Sequence, residues 1–212
     1  MKKNNLPNEI AIFPLSNAVF FPGTILPLNI FEDRYIQLIE DCIKEKRLFG
    51  MVQPKIKSSI KPEVYKVGCL GKIVSFSETS DRRFIISLSG IIRFKIKNEL
   101  NIKKLYRKFT VDYSDFFQDL EFKKNDIENY DRKNFLKKVN HFFNKINYSV
   151  ELNELAKLDF DQLVNTVSMV SPFTVEEKQK LLETINIRDK VKILDEIISF
   201  NLADLQENKT IQ

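Results

Sequence analysis

The chain has 212 residues, 43% of them hydrophobic and 30% charged, with a formal net charge of +5. That length suits one large domain or two small ones, and it buries enough surface to need no disulfide or metal staple. No apolar run approaches the ~18 residues of a membrane span, and Glu9, Pro14, Asn17 and Pro22 interrupt the stretch after Met1-Lys2-Lys3 that could have opened a signal peptide. A cytoplasmic setting with no membrane partner is therefore expected. Cys42 and Cys69 fit a reducing compartment as small buried hydrophobes.

Residues up to about 116 read as strands, and those after about 130 as helices. The expected division is a β domain over 1–116 and a helical subdomain over 117–212. All five glycines fall in the first part, where bends and close backbone approaches need them. Ile10 to Phe13 is a short strand closed by Pro14, and Ile25 to Ile30 a second one after the Phe20-Phe21-Pro22-Gly23 turn. Tyr35, Leu38, Ile39, Cys42 and Ile43 then form one apolar stripe at helical spacing. Leu48 to Val52 is a strand, and residues 55–63 a polar loop.

Val67 to Phe76 carries two glycines, which suits a bent strand in a barrel-like sheet. After a turn at 79–83, Phe84, Ile86, Leu88, Ile92, Phe94 and Ile96 all occupy even positions, the clearest period of two in the chain. Gly90 marks a bend there, and Tyr106 to Tyr113 supplies a further strand. Residues 114–130 form a linker with Phe116, Phe117 and Phe122, too aromatic to run free. Four helices follow, opening near Phe135, Phe160, Val175 and Ile187. Thr174-Val175-Glu176-Glu177 is a capping box, in which the Thr174 hydroxyl caps backbone N–H groups and Glu177 reaches back.

No catalytic centre is readable. His141 is the lone histidine and sits in an amphipathic helix, so neither a His-based metal site nor a Ser-His-Asp arrangement can be assembled around it. Gly68-Cys69-Leu70-Gly71-Lys72 is too short for a phosphate loop, and Ile73 stands where a magnesium-binding Ser or Thr belongs. Catalytic residues, metal and cofactor are all expected to be none. Arg93, Lys95 and Lys97 share one face of an alternating strand. They are read as a solvated outer face, with an anion-binding stripe as the alternative.

Several ordered motifs resemble the substrate-binding N-terminal region of Lon proteases. They are Ile12-Phe13-Pro14-Leu15 through Phe20-Phe21-Pro22-Gly23, Leu26-Pro27-Leu28-Asn29-Ile30-Phe31-Glu32-Asp33-Arg34-Tyr35, Gly68 to Phe76, and Ser89 to Phe94. In the helical part, Leu163-Val164-Asn165, Ser171-Pro172-Phe173 and Glu176 to Glu183 are similar to stand-alone bacterial members. The resemblance covers roughly residues 8–205. One departure is Arg82, where the family's turn usually has Asp-Gly, so a different or longer turn than a two-residue hairpin loop is expected.

The resemblance implies an α+β fold: a PUA-like bent sheet or pseudo-barrel with an inserted helix, followed by a helical bundle. It also implies a non-enzymatic binding module, since the chain ends before the ATPase and Ser-Lys peptidase of full-length Lon could begin. Unfolded or flexible polypeptide, or a protein partner, is the expected ligand. The alternatives are RNA or an adaptor role on a protease or chaperone, and the oligomeric state is left open. Phe20 and Phe21 are adjacent and in an extended segment cannot both enter one core, so one of them, with Tyr35 and Phe173, either lines an apolar groove or seals the two halves together. Glu32, Arg34 and Arg93 are charged residues within apolar motifs, expected to form an internal ion pair between an arginine and Glu32 or else to face the ligand.

Overall fold

The computed structural model describes residues 2–55, 63–121 and 131–210, with side chains through residue 204. Residues 56–62 of the expected polar loop and 122–130 of the expected linker, Phe122 included, lie outside the described residues. The chain divides into two compact units, Met1–Glu121 and Phe122–Gln212.

The first unit holds strands β1 (Glu9–Pro14), β2 (Ile25–Ile30), β3 (Leu48–Val52), β4 (Val67–Glu78), β5 (Phe84–Leu100) and β6 (Arg107–Asp112), with helix α1 (Asp33–Lys44) inserted between β2 and β3. They form one sheet in the order β2-β5-β4-β3-β1-β6. β5 also pairs with β6, so β5, β4, β3, β1 and β6 close into a ring, while β2 hangs on the outside of β5. β1 and β3 are parallel, and the route between them through β2 and α1 supplies the long crossover that parallel neighbours require.

The period of two in β5 sets which side chains enter the core. Phe84, Ile86, Leu88, Ile92 and Phe94 are all buried. β5 remains one strand through Gly90, with its register against β4 shifting there. The shift accommodates a close crossing. The Phe21–Thr24 turn lies on this point, with Gly23 N–H donating to the Gly90 carbonyl at 3.0 Å and Gly90 N–H to the Thr24 carbonyl at 2.9 Å. A Cβ on Gly90 would stand 2.1 Å from the Phe21 carbonyl oxygen, so only glycine admits this approach.

The turn between β4 and β5 is longer than two residues. Arg82 N–H donates to the Thr79 carbonyl at 3.0 Å and Thr79 N–H to the Arg83 carbonyl at 2.9 Å. Arg82 adopts φ 61°. This is a type I turn followed by a left-handed bulge residue, the usual three-residue hairpin solution.

In the second unit, α2 (Arg132–Lys145), α3 (Leu152–Lys157), α4 (Phe160–Val170), α5 (Val175–Glu183) and α6 (Ile187–Thr210) make five helices where four were expected. α3 is six residues long and buries Leu155, too short a run to display a helical period. α2 ends with Asn147 at φ 54°. There Tyr148 N–H donates back to the Phe143 carbonyl at 2.9 Å while the two rings pack 5.5 Å apart, a Schellman closure with its hydrophobic contact. The Thr174–Glu177 capping box opens α5 as the spacing indicates.

Candidate functional site

The residues singled out from sequence are mostly interior. Phe20 and Phe21 are both buried, at 2% and 0% exposure, which corrects the expectation that the two cannot both turn inward. The alternation argument fails because neither lies in a strand: they belong to the irregular segment before β2, whose backbone turns both rings inward. Tyr35 is buried on α1, stacked on Phe13 with ring centroids 4.0 Å apart, and its hydroxyl donates to the Pro14 carbonyl at 3.3 Å. Burial pushes the Tyr35 phenol above its ordinary range. Phe173 is buried in the second unit, stacked on Phe142.

The charged residues part company. Arg34 and Glu32 do pair, at 2.7 Å, but both side chains are 44% exposed, so the pair is a surface contact beside the start of α1 and not an internal clamp. Arg93 is 2% exposed. Its guanidinium makes a two-pronged contact with Asp119, Nε to Oδ2 at 2.9 Å and Nη2 to Oδ1 at 2.7 Å, and its ring partner is Phe116 at 4.6 Å. A solvated outer position for Arg93 is therefore corrected. The segment Ser114–Leu120, a 3₁₀ turn, folds back along β5 and covers it.

That segment and the end of β6 together answer the cationic stripe. Arg93 pairs with Asp119, Lys95 with Asp115 and Lys97 with Asp112 at 3.1 Å, so the acids run antiparallel to the bases. The Ser114 backbone N–H and then Lys97 draw the Asp112 carboxyl down to about 2. The matching spacing was present in the sequence, but nothing there said that the two runs lie side by side.

An exposed apolar surface remains at the other end of the sheet, and the sequence reading missed it. Ile25, Val74, Phe76 and Ile85 are 60%, 52%, 45% and 52% exposed. They lie on β2, on the half of β4 beyond its pairing with β3, and on the first half of β5. The register sets Ile25 opposite Ser89, Pro27 opposite Ser87 and Asn29 opposite Ile85 on β2 and β5. On the other side of β5, Ser75 faces Ser87 and Ser77 faces Ile85. This outer face thus carries Ile25, Pro27, Ile85 and a row of serines, with Lys72 opposite Ser89 at one end, while Phe76, opposite Ile86, projects on the other face. Its inner face holds Leu88, Ile86 and Phe84 in the core. Phe31, one residue past β2, is 62% exposed. The available signal was Ile85, an isoleucine at an odd position in a strand whose even positions already fill the core.

The second unit offers a smaller feature, a depression of ≈ 270 Å³ floored by Phe135 and Val191 and rimmed by Asp131, Lys138, Lys192 and Asp195. Its Lys138 ammonium is held by Asp195 at 2.5 Å and Ser199 at 2.8 Å. His141 is exposed on α2. Among the described residues no group of three or more His, Cys, Asp or Glu side chains converges as a metal site, and no helix is long and apolar enough to cross a membrane.

Comparison with known proteins agrees with this geometry. In the solved structures, the N-terminal domain of the Mycobacterium avium complex Lon protease superposes with a TM-score of 0.65 at 14% identity, covering 90% of this chain and 98% of that one. A Lon N-terminal domain protein from Xanthomonas campestris gives 0.60 at 19%, covering 88% and 96%. Among curated sequences, Lon protease 2 of Myxococcus xanthus is 23% identical over 94% of this chain, and Lon protease of Desulfosudis oleivorans 26% over 99%. The chain spans only 24% and 26% of those two proteins, about a quarter of their length. The family model for the substrate-binding domain of ATP-dependent protease La (LON) matches residues 9–199, and the chain belongs to that family.

Proposed function

We propose that this protein is a non-catalytic binding module for unfolded or flexible polypeptide, and that contact is made on the outer face of β2, β5 and β4. The observation that carries the reading is a pair of exposed isoleucines, Ile25 and Ile85, on that face, with Val74 and Phe76 exposed on the adjoining end of β4, in a chain that is 30% charged. Exposed apolar patches of this kind are uncommon on soluble proteins without a binding role. Serines between the apolar residues tolerate varied side chains, which suits a partner without a fixed sequence. Membership in a family of substrate-binding domains supports the same reading.

An RNA role draws less support. Arg93 and Lys95 are paired with aspartates of the Ser114–Leu120 segment and Lys97 with Asp112 at the end of β6, which leaves the stripe little charge to offer phosphates. The test is titration with a chemically unfolded model protein, read by fluorescence anisotropy. Saturable binding is expected. Glu at both Ile25 and Ile85 should weaken it about ten-fold or more by burying charge at the contact. No saturable binding by the unaltered protein, or equal binding by the doubly substituted one, would overturn the proposal.

A further inference from the structure

The three strands that carry the exposed apolar residues end in two backbone edges, and the two edges are not equivalent. On the β2 side, Gly90 N–H donates to the Thr24 carbonyl, which makes Ile25 and Ser89 a non-hydrogen-bonded pair in the register that follows. By the alternation of an antiparallel ladder, the polar backbone groups of Ile25, Pro27 and Asn29 point away from β5. Pro27 has no N–H to present there. A proline at the centre of an edge strand blocks the addition of another strand.

The β4 side is open. β4 pairs with β3 only through Lys72. Ile73 N–H is taken by the Arg47 carbonyl at 2.9 Å, at the point where Arg47, φ 60°, turns the chain into β3. Beyond it, Val74 to Glu78 are five consecutive exposed residues, and no strand among the described residues pairs with them opposite β5. Thr79 N–H to the Arg83 carbonyl closes the hairpin as a bonded pair, and the register runs unbroken from Glu78↔Phe84 to Phe76↔Ile86. The N–H and C=O groups of Glu78 and Phe76 therefore both face the open edge. The stretch holds neither proline nor lysine; after the bulge at Val74 in the register against β5 it alternates serine with Phe76 and Glu78.

We infer that the Val74–Glu78 edge of β4 takes up an extended polypeptide segment as an added strand, with main-chain hydrogen bonds to Phe76 and Glu78. The inference rests on the polypeptide-binding reading and specifies its mode: the backbone of the partner is recognised at β4, while β2 is closed by Pro27. Backbone recognition is indifferent to sequence, which is what a binder of many unfolded chains needs. The Phe76 ring, 5.8 Å beneath the Arg47 guanidinium, would pack against the side chains of the added strand that project on its side.

The experiment copies the device of β2 onto β4. Glu78→Pro removes an outward N–H and leaves the ladder to β5 intact, while Glu78→Ala keeps the N–H and removes only the charge. The probe is reduced, carboxymethylated α-lactalbumin. Glu78→Pro should bind it at least about ten-fold more weakly than the unaltered protein, with Glu78→Ala within about two-fold. Amide exchange at Phe76 and Glu78 in the unaltered protein should slow on adding the probe, a measurement that stands even where Glu78→Pro does not fold. Binding that Glu78→Pro leaves unchanged, with no slowing at those two amides, overturns the edge and leaves the binding module intact. No binding by the unaltered protein overturns both. Self-association abolished by Glu78→Pro, without any binding of the probe, would assign the edge to a second copy of this chain and also overturn the inference.

Discussion

Strand β5 passes through two different kinds of sheet within the first unit. Its second half belongs to a closed ring with β4, β3, β1 and β6, where every strand has two neighbours. Its first half belongs to a three-stranded ribbon with β2 and the far part of β4, which keeps two backbone edges. In the ring the interior is sealed: Phe49, Leu70, Ile92 and Phe94 are fully buried, and glycines make room for them. On the ribbon, Ile25, Ile85 and Phe76 stay near half exposed. A closed ring leaves no sheet edge for an added strand. The ribbon keeps such an edge beside its exposed apolar side chains, and that is where binding chemistry is available.

The contrast can be broken most severely at the ring. Asp119→Ala strips the buried Arg93 guanidinium of its carboxylate and should cost about 3–5 kcal/mol, read as a shift in the urea midpoint. Arg93→Met together with Asp119→Leu should recover most of that loss, since an apolar pair of similar volume carries no desolvation cost. Next in size is Gly68→Ala, whose new Cβ would sit 2.4 Å from the Met51 carbonyl oxygen and 2.8 Å from the Phe94 ring. It should destabilise by about 1–3 kcal/mol. Phe76→Ser on the ribbon should change stability by no more than about 0.5 kcal/mol while reducing polypeptide binding. Equal stability losses for Gly68→Ala and Phe76→Ser would erase the distinction between ring and ribbon.

Smaller effects sharpen it. Arg82 holds a left-handed conformation that costs a non-glycine residue energy, so Arg82→Gly should stabilise the hairpin by about 0.5–1 kcal/mol, seen as a higher melting temperature. The smallest is pH-dependent. Asp112 has its carboxyl drawn from 3.8 to about 2, so its contribution is present above pH 3.8 and is lost as pH falls through 2. Carbon-detected titration of the Asp112 carboxyl should show a midpoint near 2, and Lys97→Ala should move it upward. A midpoint already at 3.8 in the unaltered protein would refute the pairing.

Much of the fold was legible in the residue pattern. The even positions of β5, the α1 stripe from Tyr35 to Cys42 and the Thr174 capping box all carry their element in local spacing, which needs no distant partner. The family resemblance of the ordered motifs likewise agreed with the fold that the strands adopt. α3 was not legible because six residues cannot display a period.

The candidate site was far less legible. Phe20, Phe21, Tyr35 and Phe173 looked available because sequence gives chemistry without burial, and all four are interior. Arg93 looked solvated because alternation assigns a face but cannot see that Ser114–Leu120 folds over it.

By itself, then, the sequence determined which segments form strands and helices and which residues are apolar enough to fill a core, because these follow from neighbours within a few residues. Only the tertiary structure decided which apolar residues stay outside and which charges become buried pairs. Those outcomes depend on pairing between segments far apart in the chain: β5 meeting both β4 and β6, Asp119 reaching back to Arg93, and β3 stopping at Lys72 so that the last residues of β4 are left with an open edge.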